Sequence, residues 1–162
     1  SLSDGAFDDP RLNLVIADGA DFIIESVDKF DVIIIDSTDP IGPGEALFTD
    51  HFYSHAKNHL TDGGVMVTQN GVPFMQPDQL RGTMQAFQRL FVDWGCYTAC
   101  IPTYAGGPMA FGWGALSPAP RNVSVDMLRE RLMAARLDLA YYTPDVHKAA
   151  FSLPRYIEKL LP

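Results

Sequence analysis

Short apolar runs alternate along the chain with segments of helical period. The apolar runs predict strands at Leu12–Ala17, Asp31–Asp36, Val65–Gln69, Gly95–Pro102 and Met109–Ser117. The periodic segments predict helices at Gly19–Ser26, Ala46–Leu60, Pro77–Phe91, Val125–Leu137 and Arg155–Leu161, with "DGG" at 62–64 closing the second of them. This order is typical of an α/β fold whose parallel sheet is finished by an antiparallel strand.

Polar side chains stand at the carboxyl ends of four predicted strands, and in open sheets of this kind ligands bind beyond those ends. These side chains are Asp18, Asp36, Gln69 and Tyr104. Any one of them could instead be a helix cap or a turn residue. Four at neighbouring strand ends indicate a candidate site.

Two carboxylates, Asp36 and Asp39, lie within the segment "DSTDPIGP". Asp39 precedes Pro40, which biases it to an extended conformation. Three residues span at most about 10 Å, so both carboxylates can face one small ligand. The alternative is a capped turn without a ligand, because Asp-Pro is a common turn pair.

Two other patterns imitate known kinds of site. "GPGEAL" at 42–47 imitates a dinucleotide fingerprint, but Leu47 replaces the third glycine and prolines remove backbone donors that phosphates need. His51, His55 and His59 recur at the four-residue spacing of zinc ligands on a helix. Their helix lacks the Glu of a metalloprotease motif, so we expect a solvated face and no metal site.

Composition narrows the classes of function. A chain of 162 residues is one domain, and its net charge of -8 makes nucleic acid an improbable partner while allowing a cationic ligand. Apolar runs stay well below the ~18 residues of a membrane span. Cys96 and Cys100, four apart in a predicted strand, lie roughly 13 Å from each other, too far for a disulfide. Free thiols suit a cytoplasmic protein.

Three segments in order carry a resemblance: "DVIIIDSTDPIGPGEALFTDHFY", "GGVMVTQNGVPFMQ" and "IPTYAGGPMAFGWG", with "YYTPDVHKAAFSLPRY" near the end. They resemble the spermidine synthase, or polyamine aminopropyltransferase, family in its bacterial form. The resemblance implies a Rossmann-like, class I methyltransferase-type sheet. The family's glycine-rich loop, its ribose-binding acid and its first two strands lie upstream of Ser1. We therefore expect residues 1–162 to be the C-terminal portion of such a domain.

The resemblance also implies an activity: aminopropyl transfer from decarboxylated S-adenosylmethionine to putrescine, giving spermidine and methylthioadenosine. It assigns proton acceptance to Asp36 and diamine binding to Asp36, Ser37, Thr38, Asp39, Gln69 and Tyr104. It assigns nucleoside binding to Asp18, Gly19 and Pro43. It implies no metal and no cofactor, with the sulfonium nucleoside as co-substrate, and a homo-oligomer.

Two other functions stay open. One is an S-adenosylmethionine-dependent methyltransferase of similar fold, against which the paired acids argue because a methyl acceptor needs none. The other is a non-catalytic polyamine-binding or interaction domain. We also expect Leu12–Ala17 to leave the sheet or to pair with another chain, since its family neighbours lie upstream, and we expect this chain alone to bind the nucleoside poorly.

Overall fold

A computed structural model describes residues 5–162, apart from the side chain of Pro43. Within this range one four-stranded sheet has the strand order β1-β2-β4-β3. The strands are β1 Phe30–Ile35, β2 Leu60–Gln69, β3 Asp93–Ala99 and β4 Met109–Ala115.

The strand register brings several chain segments to one edge of the sheet. β1 is parallel to β2, with Ile35 opposite Thr68. β4 is antiparallel to both β2 and β3, with Gln69 opposite Phe111. The segments that follow β1, β2 and β3 therefore leave the sheet at the same edge, which we call the carboxyl edge. This confirms the predicted parallel sheet with one antiparallel strand.

Helices pack around the sheet, and side-chain caps fix where several of them start. The α-helices are α1 Gly19–Glu25, α2 Asp50–Asn58, α3 Pro77–Leu90, α4 Val125–Ala135, α5 Pro144–Ala150 and α6 Arg155–Glu158, with 3-10 turns at Ala6–Asp8 and Gly42–Phe48. Asp18, Thr49, Ser124 and Thr143 each accept a backbone N–H of the first helical turn. Such caps contribute about 1 kcal/mol each. No helix of the described chain has both the length and the apolar character needed to cross a bilayer.

The hydrophobic core is centred on α3. Leu80, Met84 and Phe87 recur at helical spacing and are fully buried. They share one cluster with Met66 of β2 and Ala110 of β4. Burying side chains of this size stabilises a fold by roughly 1.5–3 kcal/mol each. The core therefore fixes the start of α3 relative to the end of β2, at the carboxyl edge.

The predicted strand at Leu12–Ala17 is wrong, because no strand forms there. Ile16 is 93% exposed and Leu14 is 62% exposed, so this apolar run packs against little. A strand needs a partner for its backbone groups, and the described residues place none beside it. The expectation that this segment leaves the sheet is confirmed.

The predicted helix Ala46–Leu60 is too long at both ends. Thr49 is extended and caps α2, which begins only at Asp50. The "DGG" segment lies inside β2 instead of closing the helix, where the register with β1 shifts. A Cβ at Gly64 would lie 2.8 Å from Leu60 Cβ, so this irregular stretch requires a glycine.

Near the C-terminus, the structure has helix α5 at Pro144–Ala150, where the sequence pattern predicts none. Helix α6 is shorter than its predicted range.

Candidate active site

Asp36 and Gln69 come together at the carboxyl edge, as the sequence predicts. Asp36 follows β1 directly and Gln69 is the last residue of β2. Because Ile35 is opposite Thr68, these two residues occupy the next positions of neighbouring parallel strands, which lie about 5 Å apart. Asp36 is exposed, whereas Gln69 is buried.

Two side-chain amides hold the loop that carries the acids. Gln69 Nε2 donates to the carbonyl oxygen of Ser37 at 3.2 Å. Gln76 Nε2 donates to Asp39 Oδ2 at 2.9 Å. The stretch from Asp36 to Asp39 is therefore tied to the end of β2 and to the start of α3.

A glycine lets the same loop close tightly. A Cβ at Gly44 would lie 2.8 Å from the carbonyl oxygen of Asp39 and 2.9 Å from Thr38 Oγ1. Ser37 Oγ donates to the carbonyl oxygen of Thr38 at 3.0 Å. Ser37 and Thr38 thus make contacts within the loop itself, and their predicted contact with a diamine stays a prediction.

The carbonyl oxygen of the Gln69 side chain is also occupied. It accepts the backbone N–H of Gly71 and the side-chain amide of Gln79, the latter at 3.3 Å. A backbone N–H can only donate, so these contacts fix which end of the Gln69 amide faces Ser37. In this arrangement Gln69 supports the acidic loop, and its direct contact with a diamine stays a prediction.

Tyr104 lies on the loop between β3 and β4, at the same edge of the sheet. Its backbone N–H donates to the carbonyl oxygen of Ile101 at 3.0 Å, and its side chain is 55% exposed. A Cβ at Gly106 would lie 2.7 Å from Met75 Sδ, so the loop packs closely on the segment before α3. Among the described residues, no hydrogen bond joins the Tyr104 hydroxyl to Asp36 or Asp39.

Asp18 serves as the helix cap that the sequence left open as its alternative role. Its Oδ1 accepts the backbone N–H groups of Ala20 at 2.8 Å and of Asp21 at 3.2 Å. Its contact with a nucleoside stays a prediction. The same applies to Pro43, whose side chain lies outside the described residues.

Gly19 and Asp36 line the same cleft, which has a volume of about 430 Å³. Its walls are mainly apolar, formed by residues such as Ile23, Leu47 and Phe52. Asp36 supplies a carboxylate to this lining. The lining also includes Val32 and Ile34, both largely exposed, so the cleft runs along the outer strand β1 and reaches Asp36 at its carboxyl end.

His59, the C-cap of α2, contacts two backbone carbonyl groups, whereas His51 is exposed. His59 Nδ1 lies 2.8 Å from the carbonyl oxygen of His55, and His59 Nε2 lies 2.9 Å from that of Ser26. Both ring nitrogens of His59 are therefore occupied. Across residues 5–162, no group of three or more His, Cys, Asp and Glu residues has an arrangement that could hold a metal ion.

A buried polar network next to the site was missed from the sequence. Asn70 Nδ2 donates to Thr83 Oγ1 at 2.7 Å, and Asn70 Oδ1 accepts from Thr68 Oγ1 at 2.8 Å. The Tyr53 hydroxyl lies 3.2 Å from Thr83 Oγ1, and burial raises the pKa of Tyr53 to about 12, so it stays neutral. This network joins α2, α3 and the end of β2 behind the acidic loop.

Gln76 and Gln79 are the other site residues that sequence reasoning missed. Their i,i+3 spacing at the start of α3, next to "QNG", is the only local signal for them. Their partners lie on other segments of the chain, with Asp39 37 positions before Gln76.

Comparisons with known proteins identify the family to which the chain is similar. Residues 1–123 match the sequence profile of the spermine/spermidine synthase domain family. The chain is 65% identical over 161 residues to a polyamine aminopropyltransferase of Ruegeria sp., covering 99% of this chain and 57% of that protein. It is 50% identical over 155 residues to polyamine aminopropyltransferase 1 of Pseudomonas aeruginosa, covering 96% of this chain and 54% of that protein.

Solved structures give the same result. A spermidine synthase in complex with the transition-state analogue AdoDATO superimposes with a TM-score of 0.88 at 33% identity, covering 98% of this chain and 53% of that one. The spermidine synthase from Thermotoga maritima gives 0.84 at 32% identity, with 98% and 52% covered.

The chain spans about half the length of the curated relatives and solved structures that it matches. These matches confirm the predicted Rossmann-like, class I methyltransferase-type fold. On the extent of the profile match, the chain belongs to the spermine/spermidine synthase domain family.

Proposed function

We propose that the complete gene product carrying this chain is a polyamine aminopropyltransferase of the spermidine synthase type. It would transfer the aminopropyl group of decarboxylated S-adenosylmethionine to putrescine, giving spermidine and methylthioadenosine. The observation that carries this proposal is the loop at the carboxyl edge. There, Asp36 and Asp39 stand three positions apart, and amides from β2 and the start of α3 hold the loop.

The chemistry needs a base more than it needs an electrophilic catalyst. A C–N bond forms between the amine and the aminopropyl carbon while the C–S bond breaks, and its electron pair neutralises the sulfonium. A primary ammonium has a pKa near 10.4, so freeing the attacking amine at pH 7 costs roughly 4–5 kcal/mol. Asp36 stands at the end of β1 and lines the cleft, and in this proposal it would orient that amine and accept its proton.

The rest of the loop supplies a second recognition point. Putrescine carries a second ammonium at its far end, and Asp39 offers a carboxylate for it. Tyr104, largely exposed at the same edge, could add an aromatic face for a cation. The paired acids thus match a short diamine better than they match a methyl acceptor.

The nucleoside would lie against the part of the cleft lining that Gly19 and Asp36 form. Asp18 and Pro43 would contact the adenine in this proposal. The sulfonium is already an activated leaving group, so the reaction requires neither a metal nor an additional cofactor. We also propose a homo-oligomer in the cytoplasm, where the free thiols of Cys96 and Cys100 would stay reduced.

Replacing Asp36 by Asn in the complete gene product tests the proposal. The amide is nearly isosteric but cannot accept the proton, so turnover measured as methylthioadenosine release should fall about 10²-fold or more. Nucleoside binding should change little. The matched control is Asp62→Asn, an exposed position at the opposite end of β2.

Turnover of Asp36→Asn within a few-fold of the unaltered protein would remove Asp36 from the role of base. If the unaltered protein consumes S-adenosylmethionine and methylates an acceptor without releasing methylthioadenosine, it is a methyltransferase. If it binds polyamines and turns over neither nucleoside, the non-catalytic alternative holds.

A further inference from the structure

Gln76 bridges two loops at the carboxyl edge through both ends of its side chain. Its Oε1 accepts the backbone N–H of Val72 at 3.2 Å, and its Nε2 donates to Asp39 Oδ2 at 2.9 Å. The N–H of Val72 can only donate and an ionised carboxylate can only accept. The two contacts therefore fix the orientation of the amide, with its nitrogen toward Asp39.

The backbone around Gln76 is hydrogen-bonded and closely packed. The backbone N–H of Gln76 donates to the carbonyl oxygen of Val72 at 2.9 Å, which closes a turn immediately before α3. Gly71, at a φ of +66°, lies directly against this side chain, and a Cβ there would collide with Gln76 Oε1. Its own turn and Gly71 thus hold Gln76 in place.

Gln76 fixes the orientation of Asp39, one of the two carboxylates predicted to bind a diamine. Asp39 is half-buried, and Gln76 donates the only side-chain hydrogen bond that reaches its carboxylate from the described residues. A carboxylate on a loop rotates freely about its side-chain bonds unless a partner fixes it. The amide of Gln76 occupies Oδ2 and leaves Oδ1 for a ligand.

We propose that Gln76 is a positioning residue that determines how well the site binds the far ammonium of a diamine. It touches no reacting atom and acts through Asp39. This inference rests on the proposed function, because it takes the ligand to be a diamine whose near amine meets Asp36.

The test is Gln76→Glu in the complete gene product. The substitution keeps the size of the side chain but replaces the donor to Asp39 by a second carboxylate. The KM for putrescine should rise about ten- to a hundred-fold, the range expected when a hydrogen bond to a charged group is lost. The kcat and the KM for the nucleoside should stay within about two-fold, because binding of the far ammonium is weakened equally in the ground state and in the transition state.

The matched control is Gln85→Glu, the same substitution at an exposed position within α3. It should leave all three constants unchanged.

A monoamine acceptor separates positioning from general damage. n-Butylamine has no far ammonium, so its kcat/KM should be the same in Gln76→Glu and in the unaltered protein. An equal loss with putrescine and with n-butylamine would overturn the inference, because Gln76 would then act on the fold or on the near amine. In an Asp39→Asn background, Gln76→Glu should add no further loss with putrescine.

Different experimental results would overturn the inference and the proposed function. Normal methylthioadenosine release with an unchanged putrescine KM in Gln76→Glu overturns the inference alone. No release from the unaltered protein with either amine overturns the proposed function, and this inference with it.

Discussion

The two outer strands of the sheet, β1 and β3, differ in how far other elements of the chain cover them. On the β3 side, α5 brings Phe151 against Tyr97, with ring centroids 5.4 Å apart, and against Trp113 at 5.6 Å. On the β1 side, Val32 is 55% exposed and Ile34 is 71% exposed. One outer strand is packed by elements of this chain, and the other presents apolar side chains to solvent.

Polar contacts reinforce the β3 side. Asp93 is buried and accepts from Trp113 Nε1 at 3.1 Å and from the guanidinium of Arg121. Lys148 of α5 donates in turn to the carbonyl oxygen of Arg121 at 3.1 Å. The buried carboxylate of Asp93 therefore links β3 and β4 to the linker before α4, and Arg121 of that linker contacts α5.

The residues of the candidate site differ in the same way: the acidic loop is well packed, and the start of α1 is exposed. The acidic loop is held by Gln69 and Gln76, which belong to the well-packed part of the molecule. The predicted nucleoside residues Asp18 and Gly19 stand at the start of the short helix α1, whose exposed Phe22 lines the same cleft as Val32 and Ile34 of β1. Exposed apolar groups of this extent indicate a surface that normally contacts other protein. In the proposed function, this chain therefore builds the part of the site that would bind the amine, whereas the predicted nucleoside residues lie on the exposed β1 side.

The largest effect expected from this comparison is on stability. In the 162-residue chain, Trp113→Ala should lower the free energy of unfolding by about 3–5 kcal/mol, because a large buried ring is lost. Ile34→Ala should lower it by less than about 1 kcal/mol, because the side chain is mostly in solvent. Urea unfolding monitored by circular dichroism measures both. Similar losses for the two variants would show that β1 is as well covered as β3.

Nucleoside affinity gives the next largest effect. The 162-residue chain should bind decarboxylated S-adenosylmethionine at least about a hundred-fold more weakly than the complete gene product, a difference of about 2.7 kcal/mol. The reason is that Asp18 and Gly19 lie on the exposed β1 side, where this chain supplies little support. Isothermal titration calorimetry of both proteins is the measurement. Micromolar, saturable binding by the 162-residue chain would contradict the division of the site into two halves.

What the sequence predicted well depends on local pattern. The apolar run that ends at Asp36 and the run that ends at Gln69 identify parallel strands, and parallel strands place their carboxyl ends together. The start of α3 follows from Pro77 at its first position. These features need no knowledge of distant contacts.

What the sequence missed depends on partners far along the chain. Leu12–Ala17 has the composition of a strand, but a strand forms only where another strand accepts it. The bond from Gln76 to Asp39 joins positions 37 residues apart, and no periodicity indicates it. Apolar periodicity alone predicts one helix from Ala46. Thr49 prefers a cap position to a helix interior, and it separates the 3-10 turn Gly42–Phe48 from α2.

The smallest expected effect tests how tightly α5 covers the β3 side. His147 lies in α5, with its Nδ1 3.4 Å from the Tyr142 hydroxyl and its ring 5.9 Å from Phe151. Burial, and after it the charge of Lys148, lowers the pKa of His147 below 6.5. The unfolded chain therefore binds a proton more readily than the folded one as the pH falls below about 6.5, so the fold loses stability in that direction.

His147→Gln should remove this loss and flatten the dependence of the unfolding free energy on pH between about pH 7 and 5. The change should be under about 0.5 kcal/mol, because solvent screens a side chain that is only partly buried. Urea unfolding at the two pH values is the measurement, and His51→Gln on the exposed face of α2 is the matched control. A slope that is the same in His147→Gln as in the unaltered chain would show that α5 leaves His147 in an aqueous environment. Helix α5 would then exclude solvent around Trp113 and Phe151 but not around His147. The two outer strands would differ only in the packing of those two aromatic rings.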